Sequence, residues 1–285
     1  MLARIFTVTL ALFSACSILM SAAAQGAALS YVVSLPVRPG VTVRYLVVGK
    51  AAPKPRIAVI LFAGGDGFLN LGLNGTIGTN LAQNFLVRSR FRFANQGFFV
   101  AVVDTPGQVT INGNVRLSAQ YAGDIAKVIG DVRTRAQAAK VWLIGTSAGT
   151  LSAVGVASQS PIILQPPPFI TKINLRRPNG IVLTSTQSTL VTGLCGRTVF
   201  NATLSAINVP AYVVGHKADG CGCSPASAAP SVLAALTGSP AKGRVEFTGG
   251  DDPISKDPCQ AQTPHGFLGI EDSVVNAISG WIKTH

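Results

Sequence analysis

Apolar positions along the chain fall into two kinds of pattern. Unbroken apolar runs occur at Ile57–Phe62, Phe98–Val103, Val141–Ile144, Ile181–Leu183 and Ala211–Val214. A strand reads this way when both of its faces are buried. Elsewhere the apolar residues recur at helical spacing. Tyr121, Ile125, Val128, Ile129 and Val132 follow one helix face, and Val274, Val275, Ile278, Trp281 and Ile282 another. Ser231–Leu236 reads as a further helix and Arg244–Phe247 as a last strand. Tyr31–Ser34 and Val41–Val48, separated by Pro36 and Pro39-Gly40, predict an antiparallel hairpin. Buried strands alternating with amphipathic helices predict an α/β fold: a mostly parallel, doubly wound sheet with helices on both faces and the hairpin at its N-terminal end.

The N-terminus has a different pattern. Arg4 is followed by the apolar segment Ile5–Ala15 and then by Ala22-Ala23-Ala24. A short positive region, an apolar stretch too short to span a bilayer and small residues at the end predict a cleaved secretory signal over residues 1–24. The remaining residues, 25–285, contain no repeat or long polar linker and are expected to form one domain. Cleavage leaves Cys195, Cys221, Cys223 and Cys259. An even number of cysteines in an exported chain predicts two disulfides. Cys221-Gly222-Cys223 is too tight for a zinc knuckle and no histidine spacing completes a site, so no metal is expected.

Composition narrows the function classes. Apolar residues make up 48% of the 285 and charged ones only 12%, which excludes a disordered chain or a long helical rod. Lys and Arg number 23 against 11 Asp and Glu, a formal charge of +12. Arg88, Arg90 and Arg92 alternate, and Arg176 and Arg177 are adjacent. These are read as a solvated basic face, capable at most of a weak contact with an anionic envelope. Nothing resembles a nucleic-acid motif, and no membrane span is expected once the leader is removed.

The chemistry concentrates at Gly145-Thr146-Ser147-Ala148-Gly149, a G-x-S-x-G sequence between a buried strand and a small-residue helix. Such a turn lifts the serine hydroxyl clear of the backbone. Its two glycines sit where a Cβ would strike the neighbouring strand and helix. A serine needs a base, and the chain has three histidines. His285 is the last residue and His216 ends a strand. His265, in a loop between the last strand and the last helix, opens on the same sheet edge as Ser147 and is the expected base. The strand ending at Val214 leads to Asp219, the expected acid, giving the order Ser147, Asp219, His265. Asp251, Asp252 and Asp257 are expected to face solvent. Backbone N–H groups for an oxyanion would come from Ala148 and from Gly64 or Gly65. Asp66 in that loop would oppose catalysis unless it bonds the loop itself, a structural task also expected of Asp104.

These residues resemble those of α/β-hydrolases of the serine esterase type, across essentially residues 31–285. The chain is also similar to secreted bacterial α/β-hydrolase-like proteins of unassigned substrate, through Asn84-Phe85-Leu86-Val87-Arg88-Ser89-Arg90 and the segment His265–Glu271. The oxyanion loop lacks the histidine of lipase-type His-Gly-Gly loops, and no long helical lid is visible. The resemblance therefore implies an esterase acting on small or exposed esters through an acyl-enzyme, with no cofactor, in a secreted or periplasmic setting. If the triad exists, a Cys221–Cys259 disulfide would tie the acid loop to the base loop and Cys195–Cys223 would be the second. Cys223–Cys259 satisfies the same logic. A non-catalytic binding or envelope protein on this scaffold, or an acyltransferase, is the alternative. Specificity is expected in the loops Phe68–Gln83, Gly107–Asn114, Gln159–Lys172 and Gln187–Phe200.

Overall fold

The computed structural model describes residues 28–50, 55–159 and 177–285. The expected leader with Cys16, Arg176 and most of the loop Gln159–Lys172 lie outside these residues. Eight strands form one sheet: β1 (Ala28–Arg38), β2 (Val41–Lys50), β3 (Ile57–Phe62), β4 (Phe99–Val103), β5 (Lys140–Thr146), β6 (Gly180–Thr184), β7 (Ala211–His216) and β8 (Lys242–Phe247). Their spatial order is β1-β2-β4-β3-β5-β6-β7-β8. β3 to β8 run parallel, whereas β2 is antiparallel to β4 and β1 antiparallel to β2. The sheet is thus mostly parallel with an N-terminal antiparallel pair, as the pattern predicts. β1 is longer than its alternating core because Ala28–Ser30 pair with Val48–Lys50. Pro36 is tolerated on this edge strand, where a missing N–H leaves no central ladder broken.

Eight helices are described: α1 (Thr79–Ala82), α2 (Phe85–Arg88), α3 (Arg90–Asn95), α4 (Gly113–Arg116), α5 (Ala119–Ala136), α6 (Gly149–Ser158), α7 (Ala229–Ala235) and α8 (Glu271–Thr284). Successive strand residues point to opposite faces. Ile60 and Phe62 of β3 pack with Ile125, Val128 and Leu151 of α5 and α6. Val59 and Leu61 pack on the other face, with Phe93 of α3 and Ile278 of α8. Two cores on one sheet explain why β3 reads as an unbroken apolar run. β8 is an edge strand and only partly buried, which is why its pattern is weaker.

The alternating Arg88, Arg90 and Arg92 are not a solvated face. They lie on α2 and α3, ahead of β4. The Arg88 side chain is only 14% exposed, and Arg90 Nε is buried without a hydrogen-bond partner among the described residues. Only Arg92 behaves as expected, in an exposed ion pair with Asp272. Two short helices pack the alternate residues Phe93 and Phe85 inward, and that draws the arginine stems inward with them.

Candidate active site

The carboxyl ends of β3, β5, β7 and β8 lead into the segments that carry the candidate residues. This is where a sheet of this kind places its crevice. Ser147 occupies the turn from β5 into α6 with φ of 53°, a left-handed backbone that costs a non-glycine residue free energy and persists only when its surroundings enforce it. They do so here. Ser147 N–H donates to Thr184 O at 3.0 Å, and Thr150 Oγ1 donates to Ser147 O at 2.6 Å. A Cβ on Gly145 would lie 2.3 Å from Gly149 O, and one on Gly149 would lie 2.2 Å from Phe62 O. Both positions admit only glycine, for the steric reason the sequence suggests.

His265 sits in a 3₁₀ turn, Pro264–Gly266, capped by the Thr263 hydroxyl, which accepts the His265 N–H at 3.1 Å. Its Nδ1 lies 2.9 Å from Asp219 Oδ2 and 3.2 Å from Oδ1. The two side chains are 5% and 1% exposed. In the tautomer that hydrogen-bonds this carboxylate, Nδ1 donates and Nε2 is left as an acceptor. Asp219 Oδ1 also accepts the Cys221 N–H at 2.9 Å. Ser147 and His265 line the same cleft. No hydrogen bond joins their side chains among the described residues, a separation common in sites without substrate.

The two remaining histidines are placed elsewhere. Buried His216 accepts the Ala218 N–H on Nδ1 and contacts Gly249 O through Nε2 at 2.9 Å, so its ring is spent on the loop after β7. His285 stacks on Trp281. Asp251, Asp252 and Asp257 are exposed. Asp257 accepts the Cys259 N–H at 2.9 Å, which, with the Gln260 amide, holds its carboxyl below the usual range.

The loop after β3 approaches the serine closely. A Cβ on Gly64 would lie 2.9 Å from Ser147 Cβ. The N–H groups of Gly64, Gly65 and Ala148 donate to no acceptor among the described residues. Asp66 Oδ1 accepts the Phe68 N–H at 3.1 Å, a bond within its own loop. Asp104, 1% exposed, accepts from the N–H groups of Leu69, Leu71 and Thr105 at 2.8 to 2.9 Å. Asp104 does the structural work expected of it, and Asp66 commits one carboxylate oxygen, Oδ1, to its loop.

Three residues support the site: Arg116 and Ser185, which the sequence does not single out, and Arg88, which the sequence presents as part of a solvated face. Arg116 is buried behind the glycine loop, donating to Ala63 O and Gly65 O at 3.2 and 3.1 Å and to Ser152 Oγ at 2.7 Å. Burial pulls its guanidinium below its ordinary pKa. Ser185 Oγ donates to His265 O at 2.7 Å. Arg88 binds Gly266 O and Ala261 O. A lone arginine in a polar stretch and a serine among threonines give no periodic signal, so nothing marks Arg116 or Ser185, while the alternation of Arg88 with Arg90 and Arg92 points to solvent.

Disulfides join Cys195 to Cys223 and Cys221 to Cys259. The second links the Asp219 loop to the segment before His265. The sulfurs of Cys221, Cys223 and Cys259 lie within 4.8 Å of one another, but as disulfides they offer no thiolate to a metal.

The cleft has a volume of about 220 Å³. Of the four loops expected to set specificity, Phe68–Gln83 lines it through Asn80 and Leu81, while no residue of Gly107–Asn114 or Gln187–Phe200 does. Cys259, Gln260 and Ala261 line it instead, in a segment that the second disulfide ties to the Asp219 loop. The connection from β6 to β7, residues 185–210, contains 3₁₀ turns and no α-helix.

No protein-family model matches the sequence, and no curated protein matches it. Solved structures do. A cold-adapted esterase from an Arctic intertidal metagenomic library aligns with a TM-score of 0.57 at 13% identity, covering 88% of this chain and 93% of that one. An α/β serine hydrolase without a lid from Xanthomonas campestris aligns with a TM-score of 0.55 at 15% identity, over 92% and 95%. A dienelactone hydrolase from Anabaena variabilis aligns with a TM-score of 0.57 at 14% identity, over 90% and 98%. Identities this low establish architecture alone: the chain has the α/β-hydrolase fold.

Proposed function

We propose that this protein is a serine hydrolase that cleaves carboxylic esters, with Ser147, His265 and Asp219 as nucleophile, base and acid. The observation that carries this reading is the His265 Nδ1 to Asp219 Oδ2 contact of 2.9 Å, nearly sealed from water and opening on the cleft that Ser147 lines. An ionised acid bound to Nδ1 fixes the tautomer that leaves Nε2 able to take the serine proton.

Ser147 Oγ attacks the ester carbonyl while His265 Nε2 accepts its proton. The N–H groups of Ala148 and of Gly64 or Gly65 bind the oxyanion, and the N-terminus of α6 adds its dipole. His265 returns the proton to the departing alcohol. Water, deprotonated by His265, then attacks the acyl-enzyme and releases the acid. Arg116 and Arg88 hold the glycine loop and the histidine loop at the required approach. The small cleft, with no α-helix in the β6–β7 connection, favours small or exposed esters.

The two disulfides favour an oxidising, extracytoplasmic setting. No described helix is long and apolar enough to cross a membrane. Together with the expected leader these support secretion or export to the periplasm.

Hydrolysis of p-nitrophenyl esters of graded chain length tests the reading. Ser147→Ala lowers kcat by roughly a millionfold and Asp219→Asn by about ten thousandfold, at unchanged thermal stability. Wild-type protein inert to every ester of the series would contradict it.

A further inference from the structure

Asp66 lines the cleft together with Gly64, Gly65 and Ser147. Two virtual Cα bonds separate it from Gly64, so its Cα lies within about 8 Å of that residue. Its Oδ1 accepts the Phe68 N–H, while no hydrogen bond from a described residue reaches Oδ2. Arg116 attracts it electrostatically, but that guanidinium is buried behind the loop and does not line the cleft. Neither lysine nor arginine lines the cleft. Its other polar side chains are Asn80, Asn84, Gln260, Thr146 and His265, beside the serine. A chain of formal charge +12 thus has an acidic residue, and neither lysine nor arginine, among those lining the cleft that its candidate nucleophile shares.

This arrangement carries an electrostatic conflict. Negative charge developing on the ester oxygen is to be held by donors next to Asp66, and a carboxylate there raises the free energy of the tetrahedral state. A positive group on the substrate removes the conflict by pairing with Asp66, and gains a charge-assisted contact in doing so.

We propose that the cleft selects esters bearing a cationic group, an ammonium or quaternary ammonium a few bonds from the scissile carbonyl, and that Asp66 is the residue that selects them. The proposal rests on the reading of Ser147 as nucleophile. It predicts opposite effects on two substrates when the charge is removed. Asp66→Asn keeps an amide oxygen for the Phe68 N–H, so the turn is retained.

Two matched pairs of esters provide the test. In the first, acetylthiocholine is compared with the isostere that has carbon in place of the quaternary nitrogen. In the second, glycine ethyl ester is compared with ethyl propanoate. Wild-type protein prefers the cationic member of at least one pair by about tenfold in kcat/KM at near-physiological salt. Asp66→Asn lowers kcat/KM on that cationic ester by a similar factor and raises kcat on its neutral partner. A purely structural role would move both members the same way. The absence of a cationic preference in both pairs, or a parallel fall for both members in Asp66→Asn, overturns the proposal while leaving the esterase reading intact. Failure of the wild-type protein on all four esters and on the p-nitrophenyl series, with Ser147 unreactive toward a fluorophosphonate, overturns the esterase reading and this proposal with it.

Discussion

Arg88 Nη2 donates to the main-chain oxygen of Gly266 over 2.7 Å and so holds the residue next to His265. The same guanidinium donates through Nε to Glu271 Oε1 at 2.8 Å and through Nη1 to Ala261 O at 3.2 Å and to Gln83 O. Glu271 stands in the first turn of α8, where the helix dipole favours a carboxylate. One side chain thereby joins α2, the segment before His265 and the start of the last helix.

Removing it strands a mostly buried carboxylate and three carbonyls. Arg88→Leu is expected to lower unfolding free energy by about 2–4 kcal/mol and to reduce kcat/KM. Arg88→Lys restores the charge but not the planar fork, and recovers less than half of the stability. Denaturant unfolding of both variants, with ester kinetics, measures this. A Leu variant as stable as wild type would show that the loop is held by other contacts.

What could be read from the chain, and what could not, follows from how each residue earns its place. The central strands were legible because burial on two faces leaves a continuous apolar run. Ser147, Asp219 and His265 were identifiable as candidates because a glycine-framed serine and a shortage of histidines leave few combinations. Arg88 was misread, because alternating charges resemble a solvated face until the partners are known. Those partners, Gly266 and Glu271, lie far along the chain and contribute a carbonyl and an ordinary acid. Ser185 and Arg116 were missed for the same reason, since each acts on main-chain oxygens that no side-chain pattern records. The disulfide pairing was open between two arrangements, because Cys221 and Cys223 are too close in sequence to be told apart without coordinates.

The Cys221–Cys259 bridge closes a loop over a sequence separation of 38 residues and shares its Cys221 N–H with Asp219. Replacing both cysteines with alanine is expected to cost about 2–4 kcal/mol of stability. It is also expected to lower kcat by roughly tenfold, because the Asp219 and His265 loops lose their common anchor. Calorimetry and ester kinetics on the double variant check both. Unchanged kcat would show that the bridge serves stability alone.

Alkaline stability should carry the signature of Tyr45. This fully buried phenol has its pKa raised far above 10, first by burial and then by its hydrogen bond to Asp131. The unfolded chain gives up that proton near pH 10 and the folded chain keeps it. The contribution is therefore complete below about pH 10 and is lost as pH rises toward the folded value, at up to about 1.4 kcal/mol per pH unit. Tyr45→Phe should flatten the fall in unfolding free energy above pH 10 by about one such group. An identical slope in the two proteins would remove Tyr45 as its source.

The central claim is that Ser147 is a nucleophile activated by the His265–Asp219 pair. Fluorophosphonate labelling followed by peptide mass spectrometry tests it most directly. The account predicts a single stoichiometric adduct on Ser147, absent in Ser147→Ala and formed far more slowly in His265→Gln. A folded wild-type protein that forms no adduct, or an adduct that persists in Ser147→Ala, would contradict it.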